Sequence, residues 1–364
     1  MKELLVDLGE RTYPIYFGSG IMPHIGEAFV KHGIRQSSPV LVVSQEQIAR
    51  HYLDGLKQSL EQAGYTVAVG LVPDGEASKS LAQLEELITI CLQSGLDRNS
   101  TIVALGGGVV GDLAGFVAAS FMRGVRFVQV PTTILAHDSS VGGKVAVNHR
   151  LAKNIIGAFH QPAFVYYDID TLQTLPPREV RSGLAEVIKE GLIWDEAFVG
   201  WLNDNAAQLL ALEPQALEYA LFRGCQVKAA VVSEDEKENG LRAILNLGHT
   251  IGHALEAVAG YGELLHGEAI SIGMVGSAKL AVRLGYPESI LHTTRGLLQR
   301  FELPTAIPAH LDEERIMKSL MHDKKFKDGN MVFIIPTRIG QVEINKHISP
   351  DWVRETIREL KGEE

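Results

Sequence analysis

Two hydrophobic periods share this chain. Val40 to Val43, Val67 to Val72, Ile102 to Leu105, Arg126 to Val130 and Phe164 to Ile169 are short apolar runs that read as strands. Between them, Gln45 to Ala63 and Ser80 to Gln93 repeat apolar residues at helical spacing, and Pro73 to Glu76 is turn chemistry. Strands that alternate with helices predict a doubly wound parallel sheet of the α/β class. Leu172 to Val180, with its paired prolines, reads as a domain junction. Beyond it the pattern is almost entirely helical from Arg181 to about Val282, with more helix to Met321. Met331 to Ile335 and Gln341 to Ile344 read as short strands, and no internal repeat is visible. The expected architecture is an N-terminal α/β domain over residues 1–170, followed by a mostly helical domain over 171–364.

The stretch Thr101 to Met122 is nearly uncharged and long enough to span a bilayer. Three consecutive glycines, Gly106 to Gly108, and then Asp112 fit a buried strand, a turn and a buried helix better. At 364 residues two domains are the natural expectation. A net charge of -10 argues against a nucleic-acid binder but leaves room for a small anion held by local cations. Cys91 and Cys225 are the only cysteines, in helix-like segments, which suits a reducing compartment. The N-terminus has no apolar core of a signal peptide, so a soluble, cytoplasmic protein is expected.

The most chemical stretch is Asn246 to Glu256. Placed on a helix, Leu247, Ile251, Ala254, Leu255 and Val258 form an apolar stripe. Asn246, His249, His253 and Glu256 form a polar one at three- or four-residue spacing. His266 and Glu268 follow closely. A solvated polar face would explain one histidine. Three, with a carboxylate in reach, point to a zinc-type or catalytic site, and spacing alone offers His249 with His253 as a pair.

In the N-terminal half, Gly106 to Asp112 joins a strand to a helix. It is either a tight packing turn or a phosphate cradle at a helix N-terminus. Thr132 and Thr133 stand at the carboxyl end of a parallel strand, where nucleotides bind in such sheets. A polar glycine loop follows to Lys144, and Lys153, Asn154 and Arg123 add groups suited to phosphate. In the second half Glu186 and Lys189 share a helix over Arg178 to Trp194, where spacing alone makes them a surface pair. Lys228 and Arg242 flank an acidic loop, Glu234 to Gly240, whose charges read as solvated.

Taken together in order, GGGVVGD, PTT with DSSVGGK, KNIIGAFHQP, LAEVIKEG, LNLGHTIGHALE and HGEA resemble the motif set of the 3-dehydroquinate synthase family, and PDGEASK and HDKK also match. The resemblance covers nearly the whole chain. It implies an NAD- and metal-dependent homodimer of the shikimate pathway that converts 3-deoxy-D-arabino-heptulosonate 7-phosphate to 3-dehydroquinate and phosphate. NAD would take a hydride from C5 and later return it. In between, the substrate's own phosphate would act as base and leave, and ring opening and an aldol step would close the carbocycle.

Residue by residue, the resemblance implies that one divalent ion, Zn2+ or Co2+, is held by Glu186, His249 and His266, with His253 left to the substrate. NAD would contact Asp74, Gly75, Glu76, Lys79, Gly107, Gly108, Val109, Val110, Gly111, Asp112, Thr132, Thr133, Asp138, Lys144, Lys153, Thr171, Leu172, Gln173 and Thr174. Substrate contacts would come from Asn154, Lys228, Lys324 or Lys325, and Arg123 reaching across the dimer. Lys144, Lys189, Arg242, Asn246 and His253 would serve the chemistry. The chain departs from the family pattern at Ser44, where an acid can bind ribose, at Ala152 in place of glycine, and in a one-residue-shorter loop before Asp138. Other sugar phosphate cyclases, such as 2-deoxy-scyllo-inosose synthase, and iron-type polyol dehydrogenases share the scaffold. The cations Lys144, Lys153, Lys228 and Arg242 suit a substrate with both phosphate and carboxylate.

Overall fold

A computed structural model of the chain describes residues 1–238, 240–260, 262–322 and 331–362. The chain forms two compact units, Met1–Leu175 and Pro176–Glu364.

Unit 1 contains β1 (Lys2–Val6), β2 (Tyr13–Gly18), α1 (Ile25–Lys31), β3 (Val40–Gln45), α2 (Glu46–Gln62), β4 (Val67–Val72), α3 (Leu81–Gln93), β5 (Thr101–Gly106), α4 (Gly108–Ser120), β6 (Arg126–Pro131), α5 (Ala136–Ser139), β7 (Lys144–His149), β8 (Ala152–Phe159) and β9 (Phe164–Asp168). A seven-stranded sheet runs β1-β2-β9-β6-β5-β3-β4, parallel except for the antiparallel pair β1–β2 at one edge. Alternate residues of the central strands feed two separate cores. Val40, Val42, Val103, Leu105, Val128 and Val130 pack with residues of α1 and α2. Leu41, Val43, Ile102, Ala104 and Phe127 pack with residues of α3 and α4. Burial on both faces is why these strands read as unbroken apolar runs rather than as alternation.

Two parts of unit 1 depart from expectation. The first 39 residues suggested no element, yet they hold β1, β2 and α1. β2 is buried throughout while β1 is mostly exposed, so the pair shows no common period. The polar glycine stretch before Lys144 holds the short helix α5 and a bend, and from Lys144 the chain forms an antiparallel hairpin, β7 with β8. Val145 and Val147 anchor it in the second core.

Unit 2 contains α6 (Pro177–Trp194), α7 (Glu196–Asp204), α8 (Ala206–Leu210), α9 (Pro214–Glu234), α10 (His249–Ala259), α11 (His266–Arg283), α12 (Ser289–Arg300), α13 (Glu313–His322), β10 (Phe333–Arg338), β11 (Gln341–Asn345) and α14 (Pro350–Lys361). α11 is its axis, packed against α6, α10, α12, α14 and β10. Almost every residue from Gly267 to Ala281 is buried, so the helix is enclosed on all sides. Asn246 is not on the helix with His249. It ends a 3-10 segment, Leu241–Asn246, and α10 begins only after Gly248 turns the chain through the left-handed region. Among the described residues no helix is long and apolar enough to cross a membrane.

Candidate metal centre and nucleotide-side residues

Three helices of unit 2 each bring one donor to a common point. α6 enters through Pro177, whose fixed backbone suits a first helical turn. It then carries Glu186, Lys189 and Glu190 into the interior, at 1%, 1% and 0% exposure. The surface pair expected of Glu186 and Lys189 is therefore a buried one. Lys189 Nζ lies 2.5 Å from Glu186 Oε2 and 3.4 Å from Glu190 Oε1. Charges this deep persist only when paired, because desolvation costs several kcal/mol per ion.

α10 presents His249 from its first turn and α11 presents His266 from its first residue. His266 Nε2 is 3.0 Å from Glu186 Oε1, and His249 Nε2 is 3.4 Å from the same oxygen. The far nitrogens face acceptors: His249 Nδ1 is 3.2 Å from the Leu247 carbonyl, and His266 Nδ1 is 3.3 Å from Glu256 Oε2. Burial pushes the His249 pKa down. Burial pushes His266 the same way, but its hydrogen bonds with Glu186 and Glu256 outweigh that and raise it to about 10. For Glu186, burial favours the acid, and Lys189 with the two histidines overrides it, holding the carboxyl well below its usual range.

The approach of α11 to α6 depends on Gly267, beside His266. A Cβ there would sit 1.9 Å from the Ser182 carbonyl oxygen, and the Gly267 N–H instead donates to Ser182 Oγ at 3.0 Å. Arg178 ties the same ends together, donating to both oxygens of Glu268 at 2.7 and 2.6 Å, while Glu268 accepts the Leu265 N–H.

Glu186, His249 and His266 each offer a donor atom within 4.8 Å of the others. Tetrahedral zinc with bonds of about 2.1 Å separates its donors by roughly 3.4 Å, so distances of 3.0 and 3.4 Å suit a divalent ion. Two imidazoles and one carboxylate leave further positions open. His253, the other half of the pair suggested by spacing, lies with its ring 5.2 Å from that of His249 and 6.1 Å from that of His266. It falls instead in a second group, with Glu256 and His266.

Around this cluster Lys228 lies on α9, which packs on α6 and on the 3-10 segment. Arg242 is 3% exposed and its guanidinium donates to the Glu236 carbonyl. Its N–H and that of Gly240 donate to Asp235, so the acidic loop is partly structural. Asn246 donates to Glu238 Oε1 at 3.0 Å. Lys324 and Lys325 lie outside the described residues.

In unit 1, Gly107 to Asp112 form the cap and first turns of α4. Gly107 packs so closely on Thr133 that a Cβ would meet its methyl at 2.8 Å, and Thr132 donates its N–H to the Gly106 carbonyl. Lys79, 4% exposed, is the hub of a network. Its ammonium donates to Asp112 Oδ2 at 2.7 Å and Asn154 Oδ1 at 2.5 Å, with Glu76 Oε1 at 3.6 Å. Asn148 closes the ring, donating to Glu76 and accepting the Asn154 N–H. Asp74 and Gly75 form the preceding turn, and Asp138 lies on α5. Thr171, Leu172, Gln173 and Thr174 form a 3-10 turn that Tyr52 ties down through the Thr171 carbonyl and Thr174 hydroxyl. Lys144, Lys153 and Arg123 are exposed, and Arg123 adopts a left-handed backbone, φ 67°. Ser44 is buried and donates to the Leu105 carbonyl, stitching β3 to β5.

Glu190 and Asn148 were not singled out from sequence, and Glu256 was seen only as part of a polar stripe. Helical spacing held two of the signals: Glu190 stands one turn after Glu186, and Glu256 two turns after His249.

This whole arrangement has close counterparts. A solved 2-deoxy-scyllo-inosose synthase, complexed with carbaglucose-6-phosphate, NAD+ and Co2+, superposes with TM-score 0.88 at 28% identity, covering 98% of this chain and 99% of that one. A 2-epi-5-epi-valiolone synthase from Streptomyces hygroscopicus subsp. jinggangensis 5008, with NAD+ and Zn2+ bound, gives TM-score 0.88 at 25% identity over 98% and 99% of the two chains. The fold is thus similar to that of solved sugar phosphate cyclases. The family models described as 3-dehydroquinate synthase N-terminal and C-terminal match residues 69–182 and 183–326. A 3-dehydroquinate synthase of Desulforamulus reducens is 49% identical over 350 residues, 96% of this chain and 97% of that one. The chain belongs to the 3-dehydroquinate synthase family.

Proposed function

We propose that this enzyme converts 3-deoxy-D-arabino-heptulosonate 7-phosphate to 3-dehydroquinate and phosphate, with NAD and one divalent metal ion, Zn2+ or Co2+. The carrying observation is the convergence of Glu186, His249 and His266 from three helices beside the buried Lys189. When bound, the ion polarises a hydroxyl and NAD accepts and returns a hydride.

The chain's own residues supply positioning and charge. Glu186, His249 and His266 hold the ion. Gly107 to Asp112, Thr132, Thr133 and the Lys79 network hold the nucleotide, helped by Asp74, Asp138 and the Thr171–Thr174 turn. Lys189 is a preorganised cationic donor, its ammonium oriented by two carboxylates that cannot turn away in a packed interior. Lys144, Lys153 and Asn154 offer cations and an amide to phosphate, and Lys228 and Arg242 offer cations to a carboxylate. Asn246 and His253 complete the polar lining. The reading includes a cytoplasmic homodimer in which Arg123, on its exposed left-handed turn, serves the second subunit's substrate.

A cyclase that returns its hydride needs NAD only catalytically. With heptulosonate phosphate in large excess over NAD, phosphate release is expected to continue for many turnovers while NADH stays at or below the enzyme concentration. NADH held in the same site as the oxidised substrate would return its hydride in an effectively unimolecular step. NADH accumulating in step with substrate loss would overturn this reading in favour of a dehydrogenase.

A further inference from the structure

The geometry points to Glu256 as a positioning residue that fixes the ring of His266 for metal binding. This rests on the metal reading above and adds a carboxylate that the ligand set does not include.

His266 is the ligand that most needs outside help. It is the first residue of α11, so no preceding helical turn packs over its ring. Its side chain is 28% exposed, against 11% for His249 and 2% for Glu186. A neutral imidazole donates from one nitrogen and coordinates with the other, so whatever accepts at Nδ1 decides that Nε2 is the ligand atom. Glu256 Oε2 stands 3.3 Å from Nδ1, while Nε2 points to Glu186. His249 meets the same requirement with a backbone carbonyl, from Leu247. The two histidines are therefore oriented by acceptors of different charge. A carboxylate behind the ring raises its basicity as well as fixing its tautomer, and such partners are typically worth about 10–100-fold in metal affinity.

The position of Glu256 follows from the helix. It lies two turns beyond His249 on α10, and α10 packs along α11, so a side chain there reaches across to the start of α11. Glu256 also falls with His253 and His266 in a group of possible ligands, so a second ion is the competing use.

The experiment titrates the full-length, chelator-stripped protein with Co2+, following the visible spectrum of the bound ion and competing with a chelator of known affinity. Wild type is expected to bind one Co2+ per chain. Glu256→Ala is expected to bind about 10–100-fold more weakly. Glu256→Gln, whose amide oxygen still accepts from Nδ1 but carries no charge, is expected to fall between them, with a shifted spectrum. A shifted Co2+ spectrum in a variant that still binds the ion is the readout that a merely structural role would not move. A Gln variant with wild-type affinity and spectrum overturns the assignment, and it does so even if the Ala variant fails to fold. Two Co2+ per chain in wild type, falling to one in Glu256→Gln, would also overturn it by making Glu256 a ligand. Wild type that binds no Co2+ would instead sink the underlying metal reading.

Discussion

Two buried lysines, one in each unit, keep different company. Lys79 in unit 1 meets Asp112, Asn154 and Glu76, and its two carboxylate partners remain 19% and 30% exposed. Lys189 in unit 2 meets Glu186 and Glu190, which are 2% and 0% exposed. Water can share the charge around Lys79. Around Lys189 two sealed carboxylates face one ammonium, and Glu256 adds a third nearby through His266. Within that cluster, hydrogen bonds with Glu186 and Glu256 raise the His266 pKa to about 10. The same residue type is thus the hub of a polar network in one unit and a neighbour of the candidate metal donors in the other. Burial does not make the difference, since both lysines are buried. The accessibility of the carboxylates does.

The sharpest way to break this comparison is to remove a donor. His249→Ala should lose bound metal and at least about 1000-fold in activity, since an ion contributes several kcal/mol to charge stabilisation. His253→Ala should keep its metal. Metal content measured on purified protein decides it: full occupancy in the first variant, or loss only in the second, would restore the pair that spacing suggested.

A smaller effect ranks the two lysines. Lys189→Met removes the ammonium beside two sealed carboxylates and should cost about 3–5 kcal/mol in urea unfolding of metal-free protein. Lys79→Met leaves groups that water can reach and should cost about 1–3 kcal/mol. The reverse order would show that carboxylate exposure does not set the cost.

The smallest test concerns burial with no charge partner at all. Cys91 is fully buried on α3, and burial pushes its thiol from 9.0 to about 11. A raised folded pKa means stability that is complete below the unfolded pKa and lost as pH climbs through the folded one. Wild-type stability, compared with Cys91→Ala, should therefore fall between pH 9.0 and about 11. A difference that stays level or grows across that window would contradict the assignment.

Much of this was legible in the sequence because the central strands are buried on both faces and so read as apolar runs, and because motif order is specific where single motifs are not. The ligand set needed the family resemblance. Glu186 is 63 residues from His249, and no periodicity connects them. Burial of the Glu186–Lys189 pair was illegible for a related reason: i, i+3 spacing says that two side chains meet, and only the helices packed over them say whether water does too. The β7–β8 hairpin hid behind its own lysines and asparagines, which drew the eye as phosphate ligands. The β1–β2 edge hid because its two strands lie in different environments.

The strand order has a consequence for synthesis. β2, at residues 13–18, pairs in parallel with β9, at residues 164–168. The ribosome adds roughly 5–20 residues per second, so about 7–30 s separate the two strands. Until β9 leaves the exit tunnel, one edge of β2 and one edge of β6 have no neighbour to complete the sheet. Nascent chains of this enzyme therefore hold an open, apolar strand edge for most of the time that unit 1 is being made. That is the interval in which a holding chaperone has most to protect.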